Sequence, residues 1–347
     1  MKAHPQENST YTSKKTKETK ETNILDQFEI KPLAVWEGSD RIQDAIVDTL
    51  TIILKSNGCS WNKCHMCSYR HERYAREEEA QATENMLAQL EYVKKHYDYI
   101  NRPVIKLYTS GSFFDEQEVP KQVREAVAQQ FAGKTLIVES RTEYADEEAL
   151  STLCESLNQE DPLYVAIGLE TSNDAIRDRS IRKGFSFDDY KKAAKTIHKS
   201  GARVKTYLLQ KPAYLTEREA LQDMQKSIKD IIPSTDLISL NPCTVQKNTE
   251  LEYLWRQGSY RPPYLWSVLD VLINAPVHVT CDPLGGGKRR GPSNCPVCSK
   301  EIVHGIYDYS LTADRELLIS LQDMPCDCKE IWKFVLEREH SYNMPLQ

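Results

Sequence analysis

A chain of 347 residues has room for one large domain or for a barrel with an appendage, and a composition of 40% hydrophobic and 28% charged residues is that of a globular protein. The formal net charge of −6 supplies no global field for nucleic acid, so any RNA contact has to come from local basic patches. No apolar run reaches the roughly 18 residues of a membrane span, and no apolar signal core is present, which predicts a cytoplasmic protein whose ten cysteines bind metal rather than form disulfides.

Residues 1–26 are polar, with Ser-Lys-Lys-Thr-Lys-Glu-Thr-Lys-Glu-Thr from Ser13 to Thr22. Such a segment buries too little apolar surface to offset its ordering entropy and is expected to be a disordered tail. From residue 49 a strand, loop and helix recur. Strands are predicted at 49–55, 104–109, 135–139, 163–169, 204–209 and 237–240. Helices are predicted at 79–97, 119–131, 146–157, 187–199, 216–231 and 264–273, the fifth opening on Thr216-Glu217-Arg218-Glu219, a capping box. Alternating strands and helices imply right-handed crossovers and a parallel sheet. Six such units without a Gly-x-Gly-x-x-Gly turn favour a partial (β/α)6 TIM-like barrel over a dinucleotide-binding sheet. The expected division is an α/β barrel over 27–275 and a small cysteine-rich lobe over 276–347.

The loop leaving the first strand reads Gly58-Cys59-Ser60-Trp61-Asn62-Lys63-Cys64-His65-Met66-Cys67. Three thiolates on so short a loop can hold three irons of a four-iron cluster and leave the fourth open to a ligand. With His65 turned inward the same loop could instead hold a structural zinc ion. In a barrel the reactive groups lie just past the strand ends, and the ends here carry Ser110-Gly111-Ser112, Glu139-Ser140-Arg141, Gly168-Leu169-Glu170, Gln210-Lys211-Pro212 and Asn241-Pro242-Cys243. Hydrogen-bonding groups at successive strand ends mark one rim as the working face.

Towards the C-terminus Cys295-Pro296-Val297-Cys298 and Cys326-Asp327-Cys328 form two pairs, with a helix expected over 310–321 between them. Four thiolates in two pairs suit tetrahedral zinc. Cys281 as a fifth candidate leaves a second iron–sulfur cluster open. Cys154 reads as a core residue and Cys243 as a packed rim thiol. Gly285-Gly286-Gly287-Lys288-Arg289-Arg290 joins mobile backbone to three successive cations, which suits RNA phosphate. Arg261-Pro262-Pro263-Tyr264 with Trp255 and Trp266 could add an aromatic surface for a base.

The C-x4-C-x2-C loop resembles that of the radical S-adenosylmethionine (SAM) superfamily, whose commonest spacing has one residue fewer in the first gap. Taken with the strand-end motifs, Ile181-Arg182-Lys183-Gly184, Tyr260-Arg261-Pro262-Pro263-Tyr264, Cys281-Asp282-Pro283 and the paired C-terminal cysteines, the chain is similar to the archaeal radical SAM family that includes archaeosine synthase subunit beta. That resemblance implies a 4Fe–4S cluster on Cys59, Cys64 and Cys67. It implies SAM at Ser110, Gly111 and Ser112, where a backbone without a side chain can approach the methionine amino group, with Glu139, Arg141 and Glu170 as further cofactor contacts. Lys183, Lys211, Asn241, Lys288, Arg289 and Arg290 become the candidates for the substrate side. The implied activity is a tRNA-modifying lyase that cleaves the lysine C–N bond of a lysine-adducted 7-deazaguanine in the D-loop, leaving the formamidine of archaeosine. The implied partners are tRNA and a lysine-transferase subunit. Base methylthiolation, which usually needs a second cluster, and a non-enzymatic zinc- and RNA-binding module are the alternatives.

Overall fold

The computed structural model describes residues 29–75 and 80–341, so the expected tail of residues 1–26 lies outside the described residues. Eight strands follow sequence order across one sheet: β1 (Ala34–Ile42), β2 (Ala45–Ile53), β3 (Val104–Tyr108), β4 (Thr135–Glu139), β5 (Leu163–Glu170), β6 (Arg203–Gln210), β7 (Leu237–Pro242) and β8 (Thr280–Cys281). β1 and β2 form an antiparallel hairpin, and every later neighbouring pair is parallel. The sheet curls into a nearly closed barrel, and the six predicted βα units are those of β2 to β7.

The helices are α1 (Ala82–His96), α2 (Lys121–Gln130), α3 (Glu147–Leu157), the single turn α4 (Asp174–Ile176), α5 (Phe187–Lys199), α6 (Glu217–Ile231), α7 (Glu250–Arg256), α8 (Leu265–Ile273), α9 (Ser299–Thr312), α10 (Arg315–Asp323) and α11 (Cys328–Arg338). Alternation along each strand sends Leu50, Ile52, Ile105, Leu107, Leu136, Val138, Val165 and Val204 outward into one core with Met86, Val127, Leu150, Tyr190, Ile197 and Met224 of the helices. The other face lines the barrel, where Val104, Ile137, Tyr164 and Ala166 close one end. The capping box of α6 forms on both sides: Thr216 Oγ1 accepts from the Glu219 N–H at 3.2 Å, and Glu219 accepts from the Thr216 N–H at 2.8 Å.

Two regions differ from the sequence pattern. β1 carries Glu37-Gly38-Ser39-Asp40-Arg41, a run too polar to read as a strand, yet it pairs along its whole length with β2. The single helix expected over 310–321 is two helices, because Ala313 turns left-handed at φ 60° and Asp314 then caps α10 by accepting from the N–H groups of Glu316 and Leu317. Packing ties the cysteine-bearing segment to the barrel: Trp266, Ile302, Leu318 and Trp332 share the main core. Trp332 Nε1 also donates to Ser267 Oγ on α8 at 2.8 Å.

Candidate active site

The three thiols of the first loop line one small cavity together with Asn62, Lys63 and Arg70. The loop emerges from β2 and is fixed at its base by a buried carboxylate. Glu118 is fully buried, accepts from Ser56 Oγ at 3.0 Å, and accepts from the Ser112 N–H at 2.6 Å. One side chain thus joins the start of the cysteine loop to the turn after β3. Gly111 lies in that turn, and a Cβ placed there would stand 2.7 Å from both Cα and Cβ of Cys59. Only a residue without a side chain lets the two backbones approach this closely. Ser60 Oγ adds a further tie to Asp115 at 2.5 Å, and the Arg141 N–H donates to Ser112 Oγ at 3.1 Å.

Later segments hold the rest of the loop. Trp61 lies across Gly184, where a Cβ would come within 2.1 Å of the indole, and its Nε1 donates to the Arg182 carbonyl at 2.8 Å. The nearly buried Arg141 guanidinium stacks between Trp61 and Phe185 and donates to Glu143 at 2.6 Å. It therefore props the loop. The His65 N–H donates to the Ile181 carbonyl, the Leu251 N–H donates to the His65 carbonyl, and the Ser68 N–H donates to Gln246 Oε1. Segments after β5 and after β7 therefore grip the loop from the far side. The first of these contains a π-helical turn, Arg177–Ile181, an irregularity often found at functional sites. Its Arg177 is buried and bonds the carbonyls of Thr171 and Phe185.

Charges converge beneath the loop. Lys183 Nζ lies 2.8 Å from Glu170 Oε1, so two residues assigned to different ligands by sequence form one pair. Burial alone would lower the Lys183 ammonium, but Glu170 and the Cys64 thiol outweigh it and hold the group above the usual lysine range. Burial pushes the Cys64 thiol up, against Lys183, and lifts Cys67 to about 11. Glu139 points into the barrel, where burial raises its carboxyl to about 7 against the pull of Lys183 and Lys205. The buried Lys205 ammonium is lowered by desolvation, opposed by Asp40. Lys106 pairs with Asp40 at 2.5 Å, and Tyr207 donates to Tyr108 at 3.2 Å.

This polar interior is the part of the site that sequence reasoning missed. Parallel strands buried on both faces read as near-continuous apolar runs, so Lys106 and Lys205 inside β3 and β6 were an available signal. Glu118 offered none. Glu170 and Lys211 sit at φ 69° and 59°, left-handed conformations that cost side-chain-bearing residues strain and gather at functional rims. Lys211 is buried in an ion pair with Glu217 at 2.7 Å, and Glu217 also accepts from the Tyr264 N–H, so this ammonium pins α6. Asn241 stays at the end of β7 beside Leu209 of β6. Cys243 is buried beside Met66 and Tyr260.

The C-terminal cysteines come together. Sγ–Sγ distances are 3.6 Å for Cys295–Cys298, 3.5 Å for Cys295–Cys326, 3.6 Å for Cys298–Cys328 and 3.4 Å for Cys326–Cys328. Four sulfurs at about 2.3 Å from one ion would stand roughly 3.8 Å apart, so this set could hold one tetrahedral metal such as zinc. Trp266 Nε1 donates to Cys328 Sγ at 3.3 Å. Burial pushes Cys295 up, but the N–H groups of Cys298 and Val297 and the Cys326 thiol overcome it and lower the thiol. Donors aimed at sulfur favour thiolates and orient metal ligands. Cys281, by contrast, is buried in β8 and stands outside the set. Among the described residues these four are the one group of three or more metal-ligating side chains whose ligand atoms all lie within 4.8 Å. Cys59, Cys64, Cys67 and His65 do not converge in this way.

Residues 53–224 match the radical SAM superfamily. The archaeosine synthase subunit beta of Methanosarcina acetivorans is 41% identical over 91% of this chain and 93% of its own length. That of Thermococcus kodakarensis is 35% identical, covering 88% of this chain and 97% of the relative. Among solved structures, a queuine lyase from Clostridium spiroforme bound to SAM and queuine superposes at a TM-score of 0.46 with 20% identity, over 65% of this chain and 88% of that one.

Proposed function

We propose that this chain, which belongs to the archaeosine synthase subunit beta family of radical SAM proteins, cleaves the lysine C–N bond of a lysine-adducted 7-deazaguanine in the tRNA D-loop. The observation that carries the reading is the close approach of Cys59 to Gly111, which puts the three-thiol loop against the turn after β3 and over a charged barrel interior. A four-iron cluster with SAM supplies a 5′-deoxyadenosyl radical when bound. Cys59, Cys64 and Cys67 would hold the cluster, and the backbone of Ser110, Gly111 and Ser112 would receive the amino group of SAM. Glu118 keeps these two segments in register, and Arg141 keeps Trp61 over the loop. The Lys183–Glu170 pair and Glu139 face the same space and would meet the polar ends of SAM or of the lysine adduct. Asp40, Lys106 and Lys205 give the interior fixed charges of both signs, which suits a zwitterionic amino-acid side chain better than an apolar one.

The outer substrate contacts are assigned to Lys288 and Arg289, which stand exposed on the glycine-rich loop. Arg290 is tied back to Glu252 and serves the fold. The name subunit beta, carried by the relatives, supports a partner subunit, to which we assign the lysine-transferase step. Two alternatives have less support. The tight set of C-terminal thiols suits one ion better than the second cluster that methylthiolation needs, and the loop thiols with His65 do not gather as one zinc site.

The test is anaerobic turnover of the reconstituted protein with SAM, a reductant and lysine-adduct tRNA, reading 5′-deoxyadenosine and the modified nucleoside together. Both products are expected, and both should vanish in Cys64→Ala. Deoxyadenosine without archaeosine would discard the lyase assignment.

A further inference from the structure

Beyond the cysteine loop lies a cavity of about 560 Å³, bounded by α7, the Tyr260–Tyr264 segment and the C-terminal thiol lobe. That volume falls within the roughly 300–1,000 Å³ of small-ligand sites. Its lining includes Trp255, Arg256, Arg261, Tyr264, Arg289 and Asn294, with Cys295 and Cys328 of the thiol set on one wall, and no carboxylate. The Arg261 guanidinium lies 3.3 Å from the centroid of the buried Tyr264 ring and donates to the carbonyls of Pro262 and Ser293, each at 2.9 Å. These bonds hold the guanidinium flat on the ring. Arg289 sits over Trp255 at 5.1 Å. The nearby carboxylate, Glu252, is already shared between Arg256 and Arg290. Among the described residues, Arg261 and Arg289 have no carboxylate partner of their own.

Two cations without a carboxylate partner, both on one concave wall, suit an anion, all the more in a protein of net charge −6. A guanidinium fixed on an aromatic face also offers a flat cationic surface on which an unstacked base can lie. We infer that this cavity binds one unstacked nucleotide of the substrate RNA, its phosphate at Arg289 and its base on the Arg261–Tyr264 platform. The inference rests on the tRNA reading above and gives that substrate a second point of attachment, separate from the barrel mouth. An RNA source is favoured over a free nucleotide because Arg289 on the cavity wall is adjoined in the chain by the exposed Lys288, where a neighbouring phosphate would fall. Of the aromatic residues near it in sequence, Trp266 is fully buried and takes no part.

The test uses the full chain and fluorescein-labelled, in-vitro-transcribed tRNA, with anisotropy followed across a salt series. Arg289→Ala, at an exposed position, should weaken binding and lower the log–log salt slope by about one. Arg261→Lys keeps the charge and loses the plane, so affinity should fall on the order of tenfold with the slope retained. Lys192→Ala on α5 is the control for loss of a surface charge, and circular dichroism reports folding. Wild-type affinity and slope in both arginine variants would overturn the inference while leaving the tRNA reading intact. Failure of the wild-type chain to bind tRNA would overturn the reading and the inference together. Saturation by guanosine monophosphate, lost in Arg289→Ala while tRNA binding is untouched, would assign the cavity to a free nucleotide and also overturn it.

Discussion

Cys59, Cys64 and Cys67 are positioned by other parts of the chain, whereas Cys295, Cys298, Cys326 and Cys328 are positioned by one another. The first set hangs on a loop gripped by Glu118, Gly111, Arg141, the Ile181 carbonyl and Gln246, from segments after four different strands. The second set closes to sulfur contacts of 3.4–3.6 Å between the start of α9 and the start of α11. A single ion needs only a tight knot of thiolates, and two short cysteine pairs can make it. A larger group with an open metal position needs its ligands held apart, and a second ligand brought to the opening. That requirement falls on the barrel, which explains why so much of the rim's hydrogen bonding ends at the first loop.

The sharpest way to break this contrast is to remove one thiol from each set. Cys67→Ala should lose the reconstituted iron and all detectable deoxyadenosine, while the metal content of the C-terminal set and the melting temperature of the as-purified protein change little. Cys298→Ala should do the reverse: loss of the ion that this set is proposed to hold, and a fall in Tm on the order of 10 °C, because such an ion would join the starts of α9 and α11. Metal analysis beside a melting curve separates the two. Loss of both metals in either variant would mean that the sites are not independent.

Gly111→Ala sharpens the comparison at lower cost to the fold. The added methyl would meet Cys59 at 2.7 Å and Glu118 Oε2 at 2.5 Å, and neither the Cys59 backbone nor a fully buried carboxylate can yield easily. Displacing the loop by an ångström or so should cost about a hundredfold in deoxyadenosine formation, as small misplacements at reacting centres do. The C-terminal ion should be unaffected. Near-normal turnover in Gly111→Ala would show that the close approach is packing without function.

How much of this could be read in advance follows the same division. The βα rhythm, the capping box of α6 and the C-terminal cysteine set are local patterns, and each formed where it was expected. β1 was illegible because its stability comes from pairing with β2 and from Asp40 reaching Lys106, not from its own apolar content. Glu118 was illegible because its partners, Ser56 and Ser112, are joined to it only by the closed barrel. The pairing of Lys183 with Glu170, and of Lys211 with Glu217, likewise depends on where turns place side chains after the strands end. Motif position pointed to one rim. It could not say which of the rim charges were already spoken for.

The barrel interior extends the contrast to a charge that neither metal set uses. Glu139 has its carboxyl raised to about 7, first by burial, with Lys183 and Lys205 opposing. Its ordinary value is 4.5, so the native state binds more protons than the unfolded chain between those two pH values. Stability therefore falls as pH rises through that window, and the full penalty is present above pH 7. Glu139→Gln keeps the shape and removes the charge. Its Tm should match the wild type near pH 4.5 and exceed it by a few degrees near pH 8, for a difference of at most roughly 3 kcal/mol. A Tm difference that does not grow with pH would mean that Lys183 and Lys205 already compensate the carboxylate. Glu139 would then be half of a structural ion pair, no longer available to meet a substrate or SAM amino group. Growth of the difference, together with a weaker rise in turnover above pH 7 in the variant, would place the ionised carboxylate in contact with a ligand.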